Sequence, residues 1–181
     1  MIDRDRFFAR VRETPFGGIL HQGQVDGCNA ILDAWEKRAG FVDRRWLAYM
    51  LATAKWETAH TMQPIEEIGK GHGRPYGVPT QDGRAFYGRG YVQLTWATNY
   101  AKMARLTGAD LVGQPDLALD PEIAAVILLE GMKGGLFTGV GLPRYFSDAV
   151  DDPVGARRII NGTDHAADIA AIHAGFLAGL S

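Results

Sequence analysis

The residues with the clearest capacity for chemistry are three glutamates that lie within 11 positions of one another. Glu57 continues the apolar face of a predicted helix, and Glu66 and Glu67 follow it. Near the C-terminus of a helix, a partly buried carboxyl should have a raised pKa, because burial and the helix dipole both oppose ionisation. A protonated acid facing an ionised carboxylate is the pair that hydrolysis of a glycosidic bond requires. The alternatives are an exposed last-turn glutamate and an ordinary solvated acidic pair.

A second feature is the aromatic, glycine-rich segment from Phe86 to Trp96, followed by Asn99-Tyr100. Aromatic faces can stack on sugar rings, amides can bond sugar hydroxyls, and glycine allows a ligand to approach the backbone. A packed hairpin with tight turns would have the same composition, so both interpretations stay open here. The segment is not a phosphate-binding loop, because no Gly-Lys-Ser/Thr follows Gly88-Arg89-Gly90.

Metal and thiol chemistry are not predicted. His60 follows Glu57, but the zinc motif His-Glu-x-x-His needs a second histidine where Trp56 stands. The other histidines show no ligand spacing, so we expect no metal and no cofactor. Cys28 falls on the apolar stripe of a helix and is interpreted as a core residue rather than as a nucleophile.

The length and composition predict one globular domain over residues 1–181, without room for a separate targeting module beside it. Of the 181 residues, 46% are hydrophobic and 22% are charged, and the net charge is -2, so no overall charge attracts nucleic acid or an anionic membrane. A single cysteine excludes an internal disulfide. The charged N-terminus lacks a signal-peptide pattern, and the apolar run Ala124–Leu129 is too short to span a membrane.

Helices must position these residues, since apolar residues recur at helical spacing along most of the chain. We predict helices over 2–11, 22–38, 43–58, 97–106, 121–133, 153–160 and from 163 or 164 to 180. The expected N-terminal caps are Asp43, Asp120, Asp152 and either Thr163 or Asp164. A loop over 69–90 and a small hairpin over 84–94 complete a mainly α fold.

Four segments together resemble the family 19 glycoside hydrolases, the chitinase-related group, and particularly the compact endolysins of bacteriophages and prophages. They are Ala52–Thr58, Pro64–Glu67, Tyr87–Thr95 with Asn99-Tyr100, and Arg158–Gly162, in family order over about two-thirds of the chain. The helix from Gln22 to Trp35 is also similar to the N-terminal helix of such endolysins. The resemblance implies a lysozyme-like helical domain with a small β-hairpin and a catalytic cleft.

The resemblance also implies roles for individual residues. Glu57 corresponds to the general acid, Glu67 to the general base that activates water, with Glu66 as the alternative base, and Thr95 to the hydroxyl residue that holds that water. The polar groups that line the sugar cleft in the family are matched here by Gln93, Asn99 and Asn161. The residues that support the site are matched by Tyr87 and Arg158. Because the family inverts configuration, the two carboxyls should stand about 6.5 to 9.5 Å apart.

Two departures from the family pattern favour its bacterial and phage branch. Trp56 replaces the histidine that usually precedes the acid, so packing must replace any help that histidine gives. The disulfides of plant chitinases are also missing.

The sequence therefore predicts an endolysin, a lysozyme that hydrolyses the β-1,4 bonds between N-acetylmuramic acid and N-acetylglucosamine in bacterial peptidoglycan. A chitinase acting on poly-N-acetylglucosamine and an inactive glycan-binding protein are the alternatives. We expect a monomer without a separate cell-wall-binding domain. Its partner is the peptidoglycan glycan strand, with no nucleic-acid partner and no stable membrane insertion. A chain without a signal peptide would act from the host bacterial cytoplasm and reach the cell wall through a holin-type pore.

Overall fold

The computed structural model describes residues 1–181 and contains six α-helices. These helices are α1 (Arg4–Glu13), α2 (Gln22–Glu36), α3 (Arg44–Glu57), α4 (Ala97–Thr107), α5 (Pro121–Gly134) and α6 (Ala166–Leu180). Each agrees with a predicted helix to within about three residues, and the mainly α prediction is confirmed. No helix combines the length and the apolar composition needed to cross a membrane.

Four short 3-10 helices and one small sheet complete the secondary structure. The 3-10 helices are Pro75–Gly77, Pro115–Leu119, Leu142–Arg144 and Gly155–Ile159. Strand β1 (Ile65–Glu66) pairs antiparallel with β2 (Arg89–Gly90), so that Ile65 lies opposite Gly90 and Glu66 opposite Arg89. The sheet thereby joins the acidic pair to the aromatic, glycine-rich segment.

The predicted hairpin over 84–94 is confirmed in part, because the Arg89 amide donates to the Leu94 carbonyl oxygen at 3.3 Å and the Leu94 amide donates back at 2.9 Å. Arg89 forms one isolated bridge with Leu94, whereas the strand that β2 pairs with is β1, more than 20 positions earlier. Gly90 and Gln93 both have positive φ, at 82° and 52°, so the chain turns too tightly after β2 to form a second strand.

The predicted α-helix over 153–160 is wrong. Asp152 accepts a hydrogen bond from the Gly155 amide at 2.7 Å, and only a 3-10 helix follows, from Gly155 to Ile159. The last helix starts after His165, which has a φ of 54°, and no side chain caps it, so the predicted caps Thr163 and Asp164 are wrong. The sequence pattern of apolar residues does not distinguish a tight turn from one further helical turn.

Helix α3 lies at the centre of the hydrophobic core. Asp43 caps its N-terminus, as predicted, and every residue from Leu47 to Lys55 is buried. Helix α6 packs along it and α5 also contacts it, while α2 packs against α5, and a core cluster of 38 buried residues runs through them. Because most of α3 is enclosed, the position of its last residue, Glu57, is fixed by the packing of the whole domain.

Helix α2 holds the segment that follows α3. The carbonyl group of Met62 lies so close to Gly27 that a Cβ atom there would overlap its oxygen. Met62 is fully buried, and Cys28, the neighbour of Gly27, is buried in the core as predicted. This contact fixes the chain between Glu57 and the acidic pair.

Candidate active site

Glu57 is the last residue of α3, and its side chain is 17% exposed. Its Oε1 atom accepts a hydrogen bond from Nη1 of Arg157 at 2.5 Å, and the Arg157 side chain is only 4% exposed. The Nε atom of Arg157 donates to the carbonyl oxygen of Asp164 at 3.0 Å. Arg157 thus joins the end of α3 to the chain before α6, a contact that reasoning from burial and the helix dipole alone does not include.

Sequence reasoning missed Arg157 as a site residue. The resemblance to the family instead predicts Arg158 as a supporting residue. Its side chain is exposed, and its carbonyl oxygen accepts a hydrogen bond from Thr138. Two adjacent arginines carry the same chemical signal in a sequence. Only the burial of the 3-10 helix distinguishes the one that faces Glu57.

The side chains of Glu66 and Glu67 have different partners, as adjacent residues at a strand do. Glu66 accepts a hydrogen bond from the Tyr87 hydroxyl at 2.5 Å and forms an ion pair with Lys70 at 3.0 Å. The hydrogen bond from Tyr87 and then the contact with Lys70 lower the pKa of Glu66. An ionised carboxylate held by a cation is a poor acceptor for the proton of a water molecule.

Glu67 is held by neutral donors instead. Its Oε1 atom accepts from the Tyr76 hydroxyl at 2.9 Å, and its Oε2 atom accepts from the Gly88 amide at 3.0 Å. Its own amide donates to the Gly88 carbonyl oxygen at 2.7 Å, which extends the pairing beyond the sheet. No ion pair within 4 Å neutralises this carboxylate, so of the two adjacent acids it is the better general base.

A cavity of about 200 Å³ brings three predicted site residues together: Gln93, Thr95 and Asn99. The remaining lining residues are Val92, Leu94, Trp96, Phe137 and Ile160. Larger cavities, of about 380 Å³ beside the N-terminus and about 600 Å³ between α2 and α5, contain none of the candidate catalytic residues. The smaller cavity is therefore the one that matches the chemistry.

The cavity adjoins Glu67 through Gly88. A Cβ atom on Gly88 would lie 2.8 Å from Oε1 of Gln93 and 3.2 Å from Cβ of Glu67, so these two side chains flank one glycine. Gln93 also donates from Nε2 to the carbonyl oxygens of Ile65 at 3.1 Å and Gly90 at 3.3 Å, which fixes its amide. The side chains of Glu67 and Gln93 are thus held on one rigid unit.

The cavity also adjoins the residue that holds Glu57. Ile160 lines the cavity, and its amide donates to the carbonyl oxygen of Arg157 at 3.1 Å. Neither Glu57 nor Glu67 lines the cavity itself: Glu57 is linked to it through Arg157 and Ile160, and Glu67 through Gly88 and Gln93. Asn161 is the next residue, but it is exposed, and its Oδ1 atom accepts from the Gly162 amide rather than lining the cavity.

Aromatic residues occupy two different places around these acids. Trp96 is 47% exposed at the cavity rim, and its ring packs edge-on against Tyr76 with centroids 5.4 Å apart. Tyr87, by contrast, is buried, and the guanidinium of Arg89 stacks 3.6 Å from the centre of its ring. Trp96 is thus available to a ligand, whereas Tyr87 supports the loop from beneath.

Backbone strain is concentrated next to the candidate acids. Ala59, His60 and Met62 follow Glu57 with φ between 49° and 67°, and Gln93 and Trp96 have φ of 52° and 71°. Non-glycine residues adopt such angles rarely, and they do so most often at functional sites. The positive φ values were not predictable from residue types, because none of these five residues is glycine or asparagine.

Trp56 stands where the family that the sequence resembles has a histidine, and its ring packs against two imidazoles. Its ring lies 5.8 Å from that of His60 and 4.7 Å from that of His165, measured between ring centres. Packing therefore fixes the residue before Glu57. The structure contains no group of three or more His, Cys, Asp or Glu side chains placed to bind a metal ion.

The chain resembles known proteins in both sequence and structure. Residues 69–129 match the family described as chitinase class I, glycoside hydrolase family 19. Basic endochitinase CHB4 of Brassica napus is 37% identical over 93 residues, which are 48% of this chain and 34% of that protein. Endochitinase 1 of Theobroma cacao is 47% identical over 47 residues, which are 25% of this chain and 15% of that protein.

Two solved structures have the same fold over nearly the whole chain. A bacterial family 19 chitinase superposes with a TM-score of 0.65 at 23% identity, covering 99% of this chain and 95% of that one. Chitinase C of Streptomyces griseus gives a TM-score of 0.65 at 21% identity, covering 99% and 76%.

The matched segment and the fold are thus similar to those of glycoside hydrolase family 19, the class that the four sequence segments resemble. The matched segment contains Tyr87, Gln93, Thr95 and Asn99, whereas Glu57 and Glu67 lie before it. The chain spans about a third of the length of CHB4.

Proposed function

We propose that this protein is a glycoside hydrolase that cleaves β-1,4 bonds beside N-acetylglucosamine by inversion, with Glu57 as general acid and Glu67 as general base. The observation that carries the proposal is the placement of Glu67. It is fixed by two neutral donors beside a cavity that is lined by Gln93 and Thr95. Arg157, which holds Glu57, is bonded to Ile160, another lining residue of the same cavity. A binding protein would have no use for two acids fixed in this way.

In the proposed reaction, the protonated form of Glu57 gives its proton to the glycosidic oxygen while Glu67 accepts one from a water molecule. The water oxygen attacks the anomeric carbon from the side opposite the leaving sugar, so the configuration inverts. Thr95, on the cavity wall, would hold that water, and Gln93 and Asn99 would bind sugar hydroxyls. Arg157 keeps the Glu57 carboxyl in place before substrate displaces water from the cleft.

We propose peptidoglycan as the substrate because positive charge lies beside the base. Lys70, His72 and Arg74 alternate with glycines in the loop between Glu67 and Tyr76, and all three are exposed. Lys70 is paired with Glu66 and histidine is counted as neutral at pH 7, so Arg74 supplies the unpaired positive charge of this loop. Peptidoglycan carries carboxylates on the peptides attached to its glycan strand, whereas chitin is neutral. Since the net charge of the chain is -2, this loop supplies attraction for an anionic strand that the chain as a whole does not.

Chitin is the second candidate substrate. The curated relatives are named as endochitinases, and the two structural neighbours as chitinases. Both polymers contain N-acetylglucosamine, so the same two acids would serve either one.

The acid and the base are tested by substitution. Glu57→Gln should abolish the release of reducing sugar, and Glu67→Gln should reduce it by at least 100-fold, because each change removes a proton-transfer group. Glu66→Gln is the matched comparison and should cost far less. Full activity in Glu57→Gln would overturn the proposal, and a larger loss in Glu66→Gln than in Glu67→Gln would exchange the roles of the two adjacent acids.

The substrate is tested with two assays run in parallel. Clearing of outer-membrane-permeabilised bacteria is measured beside sugar release from colloidal chitin. Replacing Arg74 with glutamine should weaken clearing, and high salt should do the same, while chitin hydrolysis stays unchanged. Hydrolysis of chitin without clearing would establish the second candidate instead.

The route to the cell wall follows from the proposed endolysin role. Release from the host bacterial cytoplasm through a holin-type pore stays a proposal. Lysis of cells that express the chain with and without such a pore tests it.

A further inference from the structure

We propose that Tyr76 is a positioning residue for Glu67, fixing the orientation in which that carboxylate receives the proton of water. The inference rests on the proposed function, in which Glu67 is the general base. It adds a residue from the loop over 69–83 that neither the motifs nor the cavity lining identifies.

The hydrogen bond from Tyr76 completes a two-point attachment of Glu67. The Tyr76 hydroxyl donates to Oε1 at 2.9 Å, and the Gly88 amide donates to Oε2 at 3.0 Å. One donor would leave the carboxylate free to rotate about its last side-chain bond. With a donor on each oxygen the plane of the carboxylate is set, and so is the direction of its remaining lone pairs.

Tyr76 is itself fixed from several sides. Its residue lies within the 3-10 helix Pro75–Gly77, and its carbonyl oxygen accepts from the Phe86 amide at 3.1 Å. Its ring packs edge-on against Trp96, with an angle of 73° between the ring planes. A Cβ atom on Gly77 would overlap the carbonyl oxygen of Gly71, so the loop closes on itself at this point.

The proposed role follows from this rigidity. An error of a fraction of an ångström in the position of a general base slows proton transfer, so a fixed base raises the rate of the chemical step without changing substrate binding. Burial, together with the hydrogen bond to Glu67, raises the pKa of Tyr76, and the phenol therefore stays a hydrogen-bond donor at neutral pH.

The test is Tyr76→Phe, which keeps the ring against Trp96 and removes only the donor. On a soluble oligomer of N-acetylglucosamine or a soluble peptidoglycan fragment, whichever the wild type cleaves, kcat should fall about tenfold with KM unchanged, the size expected for a hydrogen bond to a charged group. Tyr145→Phe is the matched control, because it removes a phenol oxygen that donates to neither acid. Thermal unfolding of both variants checks that the fold is intact.

A double-substitution cycle separates positioning from a general structural role. In the Glu67→Gln background the ionised carboxylate is gone, so Tyr76→Phe should cost little further residual rate. The inference would be overturned by the same tenfold loss of kcat in both backgrounds, or by a loss of kcat/KM that comes from a higher KM with kcat unchanged. An active wild type with an equally active Tyr76→Phe variant would also overturn it, whereas an inactive wild type would instead refute the proposed function.

Discussion

Replacing Arg157 tests the interaction that holds the candidate acid in place. Arg157→Gln removes the guanidinium from a side chain that is 4% exposed and leaves the Glu57 carboxylate, 17% exposed, without its partner. Breaking a fully buried ion pair in this way costs about 3 to 5 kcal/mol. Water can still reach part of Glu57, so we expect a loss of about 2 to 3 kcal/mol in the free energy of unfolding.

The assay is urea unfolding at neutral pH, with the slope m required to stay unchanged. Arg157→Lys keeps the charge but loses the bond from Nε to the Asp164 carbonyl oxygen, and it should cost about half as much. Adding Glu57→Gln to Arg157→Gln should recover part of the loss, since the unpaired charge is then gone. A cost below about 0.5 kcal/mol, the range of ordinary surface substitutions, would refute the reasoning.

Two further predictions concern stability. Burial lowers the pKa of His173, which lies between the rings of Tyr49 and Phe146, so the unfolded chain binds a proton that the folded chain resists. Stability should therefore be complete above about pH 6.5 and fall as the pH decreases through the lowered pKa, and His173→Leu should flatten that fall in Tm measured from pH 7.5 to 5. Gly27→Ala should reduce stability by about 2 kcal/mol or more, because the new methyl group overlaps the Met62 carbonyl oxygen. Gly23→Ala, in the same helix, meets only the Gln63 side chain at 3.7 Å and serves as the comparison; equal Tm values would contradict the packing argument.

The helices were predictable because each leaves a periodic signal in the chain. Apolar residues at helical spacing indicate α2 and α3, and Asp43 and Asp120 cap helices as predicted. The residues that share the cavity, Gln93, Thr95 and Asn99, come from one short segment, so a local motif was sufficient to predict that they lie together.

Contacts between distant segments were not predictable in this way. The sheet pairs residues 65–66 with 89–90, and the ion pair joins Glu57 to Arg157, 100 positions apart. Neither partner carries a local signal, because pairing of such short strands and burial of one arginine out of two depend on how the whole core packs. The role of Tyr76 escaped for the same reason, since its contact with Glu67 depends on the path of a glycine-rich loop.

The lone thiol of the chain offers a direct view of how the domain opens. Cys28 is buried at the contact between α2 and the segment after α3, and burial raises its pKa. A thiol-specific reagent in solution can therefore modify it only when the core separates. The rate of labelling, followed without any introduced probe, would report how often the domain opens in water, and a glycan bound in the cleft would slow it by the factor that binding adds to stability.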